Sequence, residues 1–305
     1  MRSIVCLLLL LYTLTLRGQN SNPNFFYPSP DYNSQKVNGV VITEAVAFTG
    51  VMIALHYLWY KKYAHSRFHY FNDNAEWLQM DKMGHATTAY NLGALGTDVY
   101  RWTGMQKNQA YWYGGITGLL FLTTIEIFDG FSSGWGFSGG DMLANLAGSA
   151  LVIGQNMAWD QQRIELKFSY HQTIYPSYRP DELGKNRAES ILKDYNGQSY
   201  WLSLNIYSVL DSHTTFPKWL NASVGLGADG MISGRVIPSN DSTKVPAFER
   251  TRRLFFAPDV DFTRISTNEQ GALILFKAIN FLKVPAPAIE FRPERKMLKM
   301  HLFYY

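Results

Sequence analysis

Asp81-Lys82-Met83-Gly84-His85 opens the stretch, residues 81–148, whose reading decides the fold. Glu126-Ile127-Phe128-Asp129-Gly130 follows, then Ser138-Gly139-Gly140-Asp141 with Asn145 and Gly148 behind it. Each cluster opens or closes an apolar, Gly- and Ala-rich segment with the character of a helix. Asp81 and His85 stand at i, i+4, Glu126 and Asp129 at i, i+3, and Asp141 and Asn145 at i, i+4, so each pair shares one face of its helix. The pattern predicts a polar site set into an apolar helical bundle. Ionisable groups on membrane-type helices are costly and seldom lack partners, which makes the clusters the first candidates for function.

Working outward, residues 39–60 form a mostly apolar run of about twenty residues, just long enough to cross a bilayer core. Glu44 and His56 in it lie about 120° apart around a helix. Lys61 and Lys62 follow, at headgroup level if the run spans a membrane; a core helix of a bundle is the other reading. Residues 63–80, with His65, Arg67, His69 and Trp77, read as an interfacial segment. A second helix is expected over 81–102. Its small residues, Gly84, Ala86, Ala89, Gly93, Ala94 and Gly96, allow close backbone approach, and Asp98 and Arg101 can pair near its end. A third helix over 109–128 carries Gly114, Gly115 and Gly118, and a fourth runs over 141–159.

Composition shifts near Trp159-Asp160. Residues 163–170 alternate polar and apolar with period two, as a half-buried strand does. Strand-like runs recur at 200–209, 220–228, 252–263, 286–292 and 297–305, several of them between turn signals, and a short helix is expected near 188–195. Residues 272–282 fit helix or strand. The predicted class is α+β, an N-terminal apolar four-helix bundle of membrane type over 39–160 followed by an antiparallel β domain over 161–305, either an incomplete barrel or a curved sheet. Asn196-Gly197 reads as a turn, Trp219 as local packing or an interface aromatic, and the terminal Phe303-Tyr304-Tyr305 resembles the last strand of an outer-membrane barrel, though Lys299 and His301 fall on the face of Tyr305.

The chain has 305 residues and a net charge of +4, with its Lys and Arg scattered, which excludes a nucleic-acid footprint. Aromatics make up 15% of it, which suits membrane-interface belts or a one-sided sheet. A mean hydropathy of −0.15 limits any spanning part to a minority. Residues 1–18 read as a secretory leader, with Arg2 before an apolar core, and 19–38 as an extended arm. Cys6 is the sole cysteine and falls inside that leader, so the mature chain has no intrachain disulfide, no Cys-ligated zinc and no thiol chemistry. The expected place is the cell envelope, the outer membrane or its periplasmic face in preference to the inner membrane. The expected partners are membrane lipid and other envelope proteins.

Two chemistries fit the clusters. His85 with two or three of Glu126, Asp129 and Asp141 can bind a divalent cation. Alternatively a carboxylate orients His85 as a general base, and Lys82 pairs with an acidic group or a phosphate. A third arrangement is structural, with Asp81 and Ser138 or Asp141 capping helices and the rest a hydrogen-bonded pin. The catalytic candidates are thus His85, Glu126, Asp129 and Asp141, with Asp81, Lys82, Asn145 and Ser138 as the remaining polar cluster.

The order Asp-Lys-x-x-His, Glu-x-x-Asp-Gly, Ser-x-x-Asp-x-x-x-Asn-x-x-Gly over residues 80–155 resembles the YfiM-like family of predicted periplasmic lipoproteins, DUF2279. More distantly it resembles the VanZ-like membrane proteins, whose context is glycopeptide resistance and the envelope. The resemblance implies roles for Asp81, Lys82, His85, Glu126, Asp141, Asn145 and Gly148. Asp129 stands where the VanZ-like pattern has Gln, and a lipobox is missing. The expected function is that of an exported, membrane-associated envelope protein whose buried polar cluster is structural or serves an interaction. The alternative is a membrane-embedded hydrolase or transferase acting on a lipid or lipid-linked envelope precursor.

Overall fold

Twenty-five residues, Ser34–Leu58, form the first helix, α1. Asn33 starts it by accepting the Lys36 amide at 3.0 Å. One side packs inward, with Val40 against Tyr100 and Ala110 and the Phe48 ring edge-on to Phe121 at 5.3 Å. Val41, Ile42, Val46 and Ile53 are exposed. The computed structural model describes residues 27–58, 60–210, 215–235, 246 and 248–304. The expected leader, residues 1–18, lies outside them.

Helix α2 (Met80–Trp102) is the hub of the helical layer, with α3 (Lys107–Gly115), α4 (Thr117–Gly130) and α5 (Gly139–Trp159) packed around it. Small residues set the spacing. A Cβ on Gly148 of α5 would lie 2.2 Å from the Ala86 carbonyl, and one on Gly114 of α3 2.1 Å from the Thr97 amide nitrogen, so these backbones touch directly. The single helix expected over 109–128 is two helices. It breaks at Ile116, just after Gly114 and Gly115 are pressed onto α2 and α5.

The expectation of four apolar membrane-type helices is corrected to one. Among the described helices only α1 is long and apolar enough to cross a membrane. α3 and α4 have nine and fourteen residues, too short to span. α2 and α5 bury polar groups, including Lys82, Thr97, Asn145 and Gln155. The arm expected over 19–38 also ends early, because α1 begins at Ser34.

The second half is an antiparallel meander of six strands in sequence order: β1 (Ile164–Tyr170), β2 (Gln198–Asn205), β3 (Leu220–Asp229), β4 (Thr251–Val260), β5 (Ala286–Arg292) and β6 (Met297–Tyr304). Short helices α6 (Pro180–Leu183) and α7 (Arg187–Lys193) lie between β1 and β2. The undecided 272–282 run is a helix, α8 (Gln270–Ile279). The sheet curls, bringing β6 over β2: Tyr304 meets the Ser199 hydroxyl at 3.0 Å and packs on Phe255 and Trp201.

The sidedness of this sheet is inverted relative to a soluble one. Leu202, Val224, Phe256, Ile289 and Met300 are register partners in turn across five strands, and all five are exposed. The opposite face is buried and largely polar. Lys167 lies between Asp259 at 3.2 Å and Glu165 at 3.4 Å, and Arg253 forks onto Glu290 at 2.8 and 3.2 Å. Part of the apolar face is covered: Phe168 and Tyr200 pack with Met80, Trp77 and Met83 at the start of α2. This seats the sheet beside the polar clusters.

Candidate functional site

Three helix ends and one loop converge at the site. α2 enters it from a left-handed turn, with Trp77, Leu78 and Gln79 all at positive φ (47°, 51°, 65°), a conformation non-glycine residues rarely adopt. Contacts hold the turn: the Trp77 amide donates to the Gly234 carbonyl at 2.8 Å, and Arg252 donates to the Gln79 side chain at 2.6 Å. The turn places Asp81 and Lys82 in the first, buried turn of α2. Asp81 is not the helix cap expected of it, because Gln79 occupies that position. Ser138 does cap α5, accepting the Asp141 amide at 3.1 Å.

Lys82 is the centre of one half of the site. Its ammonium donates to Asp73 at 2.8 Å, Asp81 at 2.9 Å and Asp141 at 3.0 Å. Burial opposes its charge, but these carboxylates hold its pKa above the ordinary lysine range. Burial and the hydrogen bond shared with Asp73 push Asp141 up to about 7. Burial raises Asp73 too, but bonds from Asp141, Lys82 and Ser138 outweigh it and hold Asp73 below the usual carboxylate range. The two carboxyls are thus shifted in opposite directions, Asp73 down and Asp141 up.

His85 and Glu126 form the other half. His85 Nδ1 lies 3.0 Å from Asn145 Oδ1, and its Nε2 lies 3.7 Å from Glu126 Oε1. Burial lowers the His85 pKa below the ordinary imidazole value. Burial pushes Glu126 up to about 8, with the Ser138 amide, 3.0 Å from Oε2, pulling the other way. Ligand atoms of His85, Glu126 and Asp141 lie within 4.8 Å of one another.

Of the residues singled out in the sequence, His85, Glu126, Asp141, Asp81, Lys82, Asn145 and Ser138 are thus brought together. Asp129 is not. One turn beyond Glu126, its carboxylate accepts the Tyr60 hydroxyl at 2.8 Å, so only His85, Glu126 and Asp141 of the four candidates converge. The expected Asp98–Arg101 pair does not form either; Asp98 pairs with Lys277 and Arg101 with Asp160. Sequence reasoning missed Asp73. It lies in a loop with no periodicity, and only its acidic character ahead of Asp81-Lys82 marked it.

Two clefts open elsewhere. One of about 760 Å³ lies between α2 and α8, lined by Asn91, Asp98, Arg264 and Lys277 among others, and one of about 550 Å³ is lined by Glu76, Trp77, Trp135 and Tyr195. No residue of the cluster lines either.

Residues 69–156 match the family described as predicted periplasmic lipoprotein, DUF2279. The matched region takes in every member of the cluster, from Asp73 to Asn145, and ends inside α5, so the sheet lies beyond it. No curated protein and no solved structure matches the chain.

Proposed function

We propose that this is an exported envelope protein, held at a membrane, with a structural or interaction role. In this reading the Lys82 cluster locks the helices and the apolar face of the sheet lies on lipid. The observation that carries it is the sheet's sidedness. A soluble sheet buries its apolar face and wets its polar one. Here the charged face is inside and the row from Leu202 to Met300 is outside, the pattern by which outer-membrane strands meet acyl chains. The strands have seven to ten residues, and only β3 and β4 reach the nine to eleven a crossing needs, so the sheet rests against the bilayer.

Two further features support a membrane setting. α1 presents an apolar surface along most of its length. Beyond its end, the half-buried Trp135 packs on Tyr63 at 4.2 Å and Phe68 on Tyr70 and Phe131; these four partners are exposed, aromatics of the kind that sit at headgroup level. The family description fits the periplasmic side, and the antiparallel sheet favours the outer membrane.

The enzyme alternative has less support. Glu126 and Asp141 are almost wholly buried, and the two clefts lie elsewhere. Spheroplast fractionation followed by a density gradient tests the proposal. The expected result is recovery in the outer-membrane fraction through a high-salt wash. Release as a soluble protein on osmotic shock contradicts it.

A further inference from the structure

We propose that His85, Glu126 and Asp141 form a binding site for one divalent transition-metal ion. The three side chains come from α2, α4 and α5, and their ligand atoms fall within 4.8 Å of each other. The 3.7 Å between His85 Nε2 and Glu126 Oε1 is too long for a hydrogen bond. It is close to the roughly 3.4 Å expected between two ligands each about 2.0–2.1 Å from one tetrahedral ion.

A second observation concerns Asn145, which is completely buried. Its Oδ1 holds His85 Nδ1 at 3.0 Å, leaving Nε2 turned toward Glu126. Metal-bound histidines are oriented by such a partner on the other ring nitrogen. The Asn145 amide nitrogen, beside the ring, is buried with no partner of its own. An oxygen ligand on the ion would accept from it.

Charge points the same way. The adjoining group of Asp73, Asp81 and Asp141 already surrounds a cation, the Lys82 ammonium. Among the described residues Glu126 pairs with no Lys or Arg, only with His85. Four carboxyl groups thus adjoin one ammonium, and a divalent ion would let all four ionise. One imidazole nitrogen with two carboxylates suits zinc, manganese or iron(II). Calcium, which takes six to eight oxygens, fits less well. The site goes beyond the envelope role proposed above and does not depend on the sheet meeting lipid.

The test uses the purified full chain, dialysed against chelator, with Zn²⁺ as probe, read by calorimetric titration and thermal melting. The expected result is one ion per chain and a higher Tm with Zn²⁺. His85→Gln and Glu126→Gln abolish both effects, and Asn145→Ala weakens binding about 10–100-fold. Asp98→Asn, far from the site, binds like the parent. Folded parent protein that takes up no Zn²⁺, or His85→Gln and Glu126→Gln binding unchanged, overturns the proposal. If those variants do not fold, Co²⁺ added to the parent decides: visible ligand-field bands of a nitrogen- and oxygen-ligated site support it, and a spectrum of hydrated Co²⁺ overturns it.

Discussion

The Lys82 ammonium stands 3.0 Å from Asp141 Oδ1, joining the first turn of α2 to the first turn of α5 across 59 positions of sequence. With Asp73 and Asp81 also on that ammonium, one lysine ties two helices and the preceding loop together. The tie is buried, so its strength depends on every partner being present.

Removing the cation leaves the acids uncompensated. Lys82→Met is expected to cost about 3–5 kcal/mol, the usual penalty for breaking a buried ion pair from one side. Asp73→Asn, which keeps two of the three partners, is expected to cost less. Urea denaturation followed by circular dichroism compares the two. Equal, small losses would show that the network contributes little.

Helix contact makes a paired prediction. Gly148→Ala drives a methyl against the Ala86 carbonyl, whereas Gly154→Ala on the same helix meets nothing within 4 Å. The first is expected to destabilise by about 1–3 kcal/mol through overpacking. The second is expected to stabilise by about 0.5–1 kcal/mol through helix propensity. Thermal melting of both variants checks the sign of each.

The sheet interior gives a pH dependence. Burial would raise the Glu290 carboxyl, but Arg253 at 2.8 Å, His301 at 2.6 Å and Arg292 at 2.5 Å more than offset this and bring it to about 2. Its unfolded value is near 4.5. The folded state therefore holds its proton less tightly than the unfolded one. The stability from Glu290 is full above about 4.5 and is lost as pH falls toward 2. Denaturation midpoints of the parent should drop over that window. Glu290→Gln should already be weakened at neutral pH, with a smaller further drop on acidification.

Much of this was legible from periodicity. α2 lies within a residue of the expected 81–102, and β5 matches 286–292 at both ends. In both cases local pattern and burial agree. The failures involve partners far apart in sequence. Asp98 sits three positions from Arg101, but Lys277, 179 positions away, takes it. Asp73 joins the cluster through a loop contact that no repeat announces. Alternation in β1 showed which side chains share a face but not which face is buried. The charged side is inside because the sheet curls over Lys167, Arg253 and Glu290, a relationship of whole strands.

Single nitroxide labels report whether the apolar row lies against lipid. Cys6, the sole native cysteine, falls within the expected leader, so introduced cysteines are the only targets in the mature chain. Labels at Val224, Phe256, Ile289 and Met300 in membrane-bound protein should relax faster with oxygen, which concentrates in lipid, than with a water-soluble nickel complex. A label at the exposed Lys185 should show the reverse. If the nickel complex reaches the four row positions as readily as Lys185, the row faces water and does not lie on lipid.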